Sequence, residues 1–278
     1  MKLSLKNLKT TSEDRERKAF YASDYGKSNL DLYFSWMNEP RTNPIKWKKE
    51  LLFGSGNGVE ENFLNILKHN GYVQEDYDQR EHGRVEMYTH NIDINGYVDV
   101  ILKDGTPMEI KASGSYYNLK NTRNNTPRES YVGQLATYME YLGKDKGYLF
   151  VASLDGSQAY LIECKKTDDY IYQCGETSVN LSTEWLRWAK LHQNHIIPEE
   201  MPDIWEYRYK DDVDEIDWRG QTSSNISKAR NNHIVLGDYQ VHYSPWKDKI
   251  RKLQGDTKEY TEKEIMKIIS KTKGYTNW

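Results

Sequence analysis

Apolar and polar positions divide the chain into a regular middle and two less regular ends. Val59, Phe63, Ile66 and Leu67 recur at helical spacing before Asn70-Gly71, so a helix is predicted over 59–69 with that face turned inward. Gly54, Gly56 and Gly58 just ahead of it read as a flexible lead-in. Strand-like runs follow at 72–77, 83–89, 95–102 and 107–112. The polar stretch 113–125 reads as a loop. Thr126-Pro127-Arg128-Glu129 has the form of a capping box, with Thr126 as N-cap, Pro127 at the first helical position and Glu129 reaching back. The helix it opens should run to about Leu142 and stop at Gly143. Further strands are predicted at 147–152, 159–163 and 170–173, and helices at 183–193 and near 30–37. From Pro198 onward the pattern is irregular, then weakly helical. The central order of helix, strands, helix and strand predicts an α/β core, a mixed β-sheet flanked by helices.

The 278 residues suit one elaborated domain with an appendage, drawn here as 1–197 and 198–278. Mean hydropathy is low, at -0.92, but 13% of the residues are aromatic, including 22 Tyr and 8 Trp, which argues for a packed globule over disorder. The net charge of -3 does not announce a polyanion as partner, although local patches outweigh the total. Residues 199–217 hold nine acidic and two basic side chains, and 222–278 hold eleven basic and six acidic; both read as solvated surface. Cys164 and Cys174 are too few for a disulfide framework or a four-cysteine metal site and are expected as buried fillers. The N-terminal stretch lacks an apolar segment of signal-peptide length, and no apolar run reaches 18 residues, so the expectation is a cytoplasmic protein with no membrane partner. His69, His82 and His90 read as structural, and the His192/His195 spacing has no cysteine pair to make it a zinc site.

Two neighbouring segments carry chemistry. Gly96-Tyr-Val-Asp99-Val-Ile-Leu102 is almost continuously apolar, as a central strand should be, yet contains one acid. A buried Asp needs a charged partner, either a structural cation or a metal. In 107–112 a period of two puts Met108, Ile110 and Ala112 on one face, Glu109 and Lys111 on the other. Carboxylates from adjacent strands can hold one hard divalent cation, and a lysine beside them can orient water and balance phosphate charge. Those are the parts that phosphodiester hydrolysis requires. Register decides whether they meet. A two-residue Asp104-Gly105 turn would set Asp99 against Ile110 and send the two acids to opposite faces. A three-residue loop, Lys103-Asp104-Gly105, sets Asp99 against Glu109, with Gly105 in the left-handed conformation.

Gly96-Tyr-Val-Asp99, followed ten residues on by Glu109-Ile110-Lys111, resembles the core motif of the PD-(D/E)xK nuclease superfamily. Gln134-x-x-x-Tyr138 resembles the helix motif of its RecB-like exonuclease branch. Gly56-Asn-Gly-Val59-Glu60 resembles that branch's upstream helix motif, where a His or Glu adds a metal contact. The resemblance spans roughly 22–152. It implies a restriction-endonuclease-like core with helical additions at both ends. The implied activity is a Mg2+- or Mn2+-dependent deoxyribonuclease, favoured as an exonuclease on single-stranded DNA or DNA ends, of the kind used in DNA recombination and repair. Asp99 and Glu109 would bind metal with the Ile110 carbonyl, Glu60 would hold or tune a second metal, and Lys111 would position water. Gln134 and Tyr138 would contact the strand, as would Lys120 and Arg123 from the polar stretch. On helical spacing alone, Gln134 and Tyr138 share a polar face opposite Val132, Leu135, Met139 and Leu142, and would equally pass for ordinary surface residues. Many relatives of the Cas-four type carry four cysteines for an iron–sulfur cluster. None stands here near 23–28 or after 190, so no cluster is expected, and Trp205-Glu-Tyr-Arg-Tyr209 would fill the equivalent space with aromatic packing. The alternatives are a structure- or sequence-specific endonuclease on the same core and a catalytically silent DNA-binding subunit.

Overall fold

A computed structural model describes residues 16–42, 47–194 and 244–253; the acidic stretch 199–217, most of the basic stretch, the Trp205 segment and His195 lie outside the described residues. The chain divides into two compact units, one of Met1–Pro40 with Ile45–Ile197, the other of Arg41–Pro44 with Pro198–Trp278.

In the first unit, β4 (Val100–Ile101), β5 (Pro107–Ser113), β6 (Lys146–Ser153), β7 (Ala159–Asp168), β8 (Ile171–Cys174) and β9 (Thr177–Asn180) form a six-stranded sheet in chain order. It is mixed: β5 and β6 run parallel, and every other neighbouring pair is antiparallel. A second sheet has the order β1 (Phe20–Tyr21), β3 (Ile92–Tyr97), β2 (Arg84–Thr89). The helices are α1 (Asn29–Trp36), α2 (Trp47–His69), α3 (Gln79–His82), α4 (Tyr116–Arg123), α5 (Glu129–Tyr141) and α6 (Leu181–Asn194). In the second unit α7 (Lys247–Leu253) follows a buried Trp246, whose N–H donates to Ser244 Oγ at 3.0 Å. The architecture is thus the predicted α/β one, a mixed sheet between helices.

The pleat sorts the large sheet's side chains to two cores. Met108 and Ile110 pack with Val100, Leu67, Val73 and Tyr77, and the Phe63 ring of α2 stacks on Phe150 at 3.7 Å. On the other face Leu149 and Val151 meet Val132, Leu135, Ala136 and Met139 of α5. Both cores together bury most of the sheet, which fixes register because a one-residue slip would exchange the two faces.

Several expectations are corrected. The glycines at 54, 56 and 58 lie inside α2, which begins twelve residues before the predicted start. Gly56 sits against the sheet, where an added Cβ would touch Ala112 Cβ at 3.8 Å, so close approach takes precedence over intrinsic propensity. Ile66 is exposed, and Phe63, Leu64 and Leu67 carry that face. The expected strand at 72–77 is a turn and coil whose Val73 and Tyr77 are nonetheless buried. Asp78 ends it by capping α3, its Oδ1 accepting from the N–H groups of Arg80 and Glu81. The polar stretch 113–125 contains α4, which Ser115 caps and which buries Leu119 and Thr122. Thr126 is not a helix cap: its hydroxyl donates to the Asn121 carbonyl, and α5 starts at Glu129 behind Arg128. Strand β9 had no counterpart in the prediction. Cys164 and Cys174 are buried, free and directly opposed across β7 and β8.

Candidate active site

The predicted strand 95–102 is in fact two. β3 ends at Tyr97 in the small sheet, and β4 begins at Val100 on the edge of the large one. Asp99 stands in the break, at the crossing from one sheet to the other and not within a central strand. Its carboxylate replaces part of the missing ladder: Oδ2 accepts the Ile110 N–H at 2.7 Å. β4 and β5 pair Val100 with Met108 and Ile101 with Pro107, a register that continued by one residue sets Asp99 against Glu109. The loop between them is the three-residue one. The Leu102 N–H donates to the Thr106 carbonyl at 2.9 Å, and Gly105 adopts a φ of +79°.

Glu109 is fully buried, with Oε1 accepting from Lys111 Nζ and Oε2 buried with no hydrogen-bond partner among the described residues. Lys111 lies on the same face of β5, and its ammonium also stands over the Tyr131 ring, 5.8 Å from the centroid. From α2, Glu60 Oε1 accepts from Gln79 Nε2 at 3.2 Å, and the same amide donates to Asp99 Oδ1 at 2.9 Å. Gln79 therefore ties the α2 acid to the Asp99 acid. Only its place in the first turn of α3, set by the Asp78 cap, brings it there, and no spacing or motif in the sequence marks it.

The electrostatics are those of crowded anions. Burial and the neighbouring Glu109 carboxylate push Asp99 up to about 8, against the pull of Lys111 and the Ile110 N–H. Burial and Asp99 push Glu60 up to about 7. Burial raises Glu109 as well, although Lys111 opposes it. For Lys111, burial works against the charge, yet Glu109 and Asp99 hold its pKa above the ordinary range, so it is an ammonium at every working pH. Three acids thus share one lysine. Among the described residues, no group of three or more His, Cys, Asp or Glu side chains is already gathered as a metal cage. Lys111 and Gln79 instead occupy carboxylate oxygens that a cation would otherwise take. The donor set fits a hard divalent cation nonetheless: all donors are oxygens, anionic charge is in excess, and the Glu109 Oε2 lone pairs are unused.

Gln134 and Tyr138 are placed differently from expectation. Both are buried, not on a polar helix surface, and Gln134 Nε2 donates to Tyr138 Oη at 3.1 Å. Tyr138 packs with Ala22, Val85 and Val98, and Gly96 makes room for it: a Cβ there would come within 2.8 Å of the ring. Burial and the charges of Glu109 and Asp99 raise the Tyr138 pKa. Lys120 and Arg123 are exposed on α4, with no hydrogen bond or ion pair to the acidic centre among the described residues. His90 is structural, bonded to Thr89 and Ser182 and packed on Trp185.

No family model and no curated protein matches the chain. Solved structures similar to it include SSO0001, with 17% identity and a TM-score of 0.42 over 66% of this chain and 77% of that one. They also include an alkaline exonuclease, LHK-Exo, from Laribacter hongkongensis, with 14% identity and a TM-score of 0.38 over 64% of this chain and 87% of that one. A second structure of LHK-Exo, in complex with dAMP, scores the same. Likeness of this degree decides nothing about chemistry, which has to be argued from the residues.

Proposed function

We propose that the chain is a PD-(D/E)xK nuclease of the RecB-like branch, a Mg2+- or Mn2+-dependent deoxyribonuclease acting as an exonuclease on single-stranded DNA or DNA ends. The observation that carries this is the meeting of Glu60, Asp99, Glu109 and Lys111 from α2, the inter-sheet break and β5, with one Glu109 oxygen buried and unpartnered. Asp99, Glu109 and the Ile110 carbonyl would hold a cation, with Glu60 tuning it or holding a second. Such a cation supplies Lewis-acid polarisation of a phosphoryl oxygen and a water acidic enough to attack at neutral pH. The protein's own share is positional. Lys111 is charged and aimed from the same face as Glu109, so it can steer the attacking water and balance the charge that grows on the phosphorane oxygens. Gln79 keeps Glu60 and Asp99 facing each other. Gln134 and Tyr138, buried behind the acids, hold the break between β3 and β4 in shape instead of gripping the strand directly. Lys120 and Arg123 extend a cationic surface along α4 for DNA.

The test uses end-labelled linear single- and double-stranded DNA and circular single-stranded DNA, each with Mg2+, Mn2+ or EDTA. The expected outcome is cation-dependent release of nucleotides from linear strands, with the circle left intact. Cutting of the circle would assign an endonuclease to the same site, and no cleavage of any DNA with either cation would overturn the reading.

A further inference from the structure

The Tyr131 ring, on the first turn of α5, has a second cation against it. Arg128 Cζ stands 5.6 Å from the ring centroid, close to the 5.8 Å of Lys111 Nζ. The two cations differ in how they are compensated. Lys111 is ion-paired with Glu109, whereas Arg128 is exposed and has no carboxylate partner among the described residues. Contact with a tyrosine face steadies a guanidinium without consuming its N–H donors, and a guanidinium is a planar fork suited to phosphate. The ring is itself steadied: Tyr131 Oη accepts from Asn118 Nδ2 at 3.5 Å, and that amide also reaches Ser113 Oγ at 3.3 Å, at the end of β5. One half-buried ring therefore couples the catalytic candidate Lys111 to an exposed arginine. Two like charges against one ring repel each other, and a bound anion would relieve that.

Resting on the nuclease reading, we infer that Arg128, stacked on Tyr131, binds the backbone phosphate next to the one placed at Lys111 and so sets the register of the strand in the site. The ligand is the repeating phosphodiester of a single DNA strand. Arg128 acts as a positioning residue and touches no reacting atom.

Binding of a fluorescent single-stranded oligonucleotide to the full chain, in EDTA so that the strand stays whole, gives the test. With salt varied, Arg128→Ala should weaken binding roughly three- to tenfold and lower the slope of log affinity against log salt by about 0.7, the loss of one phosphate contact on a single strand. Tyr131→Phe keeps the ring and should bind as wild type. Tyr131→Leu should weaken binding, and the Arg128→Ala/Tyr131→Leu double variant should bind no worse than the weaker single, because both remove one contact. Lys165→Ala, removing an exposed cation on β7, should change neither affinity nor slope, and thermal melts confirm that each variant is folded. If wild type binds the strand and Arg128→Ala leaves the slope unchanged, the inference is overturned while the nuclease reading stands. If wild type neither binds nor cleaves DNA, both fall together.

Discussion

At the scale of single residues, the candidate site crowds three acids around one lysine, a strain that the proposed cation would relieve. Lys111 is shared by Glu60, Asp99 and Glu109, and its ion-pair partner Glu109 is wholly buried. Lys111→Ala should lower cleavage by at least about 10²-fold, the loss seen when one preorganised charge-stabilising donor is removed. It also leaves Glu109 buried and unpaired, a destabilisation on the order of 3 kcal/mol. Lys111→Arg separates the effects, since it should recover most of the stability measured by urea titration but little of the rate. Asp99 gives the opposite sign. Its carboxyl is held at about 8 against an ordinary 3.8, so between those values the folded protein keeps a proton that the unfolded chain has lost. Folding takes up protons in that window, and stability in cation-free buffer falls as pH rises through it. Glu60, raised to about 7, adds to the trend from its ordinary 4.5 upward. Asp99→Asn should therefore raise the melting temperature in EDTA at pH 8, with the gain shrinking toward pH 4, while calorimetry with Mn2+ shows affinity lost by tenfold or more. Unchanged Mn2+ affinity would make Asp99 a structural acid.

At the scale of elements, a turn governs whether the acids meet. Gly105 at φ +79° closes the three-residue loop that sets Asp99 against Glu109. Gly105→Ala would place a Cβ in the left-handed region, at a cost of about 1–2 kcal/mol, and 2.7 Å from Lys144 Nζ, a flexible end that can move aside. The urea midpoint should drop accordingly. If the chain relieves the strain by shortening the turn, Mn2+ affinity should fall with it, and Gly105→Asn should lie between, because Asn tolerates that conformation. This loop was legible in the sequence because parity alone rules out the alternative for a shared site. So were β2, β5 and β6 and the helical character of α5, whose periodic runs are long and unbroken. The break at Val98-Asp99 was not legible, since an apolar run gives no sign that it leaves one sheet and enters another. Nor was α4, where only Leu119 and Thr122 are buried and Asn-rich composition hides a helix held by contacts and a Ser115 cap. The Thr126 cap signal misled because Thr126 spends its hydroxyl on Asn121. Gln134 and Tyr138 read as a polar face because spacing does not report that Gly96 opens a pocket for a tyrosine ring.

At the scale of the whole molecule, the proposed function asks a chain with a net charge of -3 to bring a polyanion to a centre that is itself acidic. On that reading a cation has to offset the carboxylates before a phosphodiester can react there, although a strand can rest on Arg128 without one, and the proposed cation donors belong to the first unit alone. Glu60, Gln79, Asp99, Glu109, Lys111, Gln134 and Tyr138 all lie within it, as do both sheets and the two cores that fix the β4–β5 register. A chain ending at Ile197 should therefore bind Mn2+ with an affinity within about twofold of the full chain, since none of the proposed donors is removed. The same truncation deletes the acidic stretch 199–217 together with the basic stretch 222–278, whose opposite charges act on DNA in opposite directions. The salt dependence of DNA binding should consequently change even though the cation titration does not. Calorimetry with Mn2+ and salt-varied binding of a single-stranded oligonucleotide, run on both lengths, check the two halves separately. A truncated chain that melts cooperatively but binds Mn2+ tenfold more weakly would mean that a donor beyond Ile197 belongs to the centre, and the ligand set drawn from Glu60, Asp99 and Glu109 would then be incomplete.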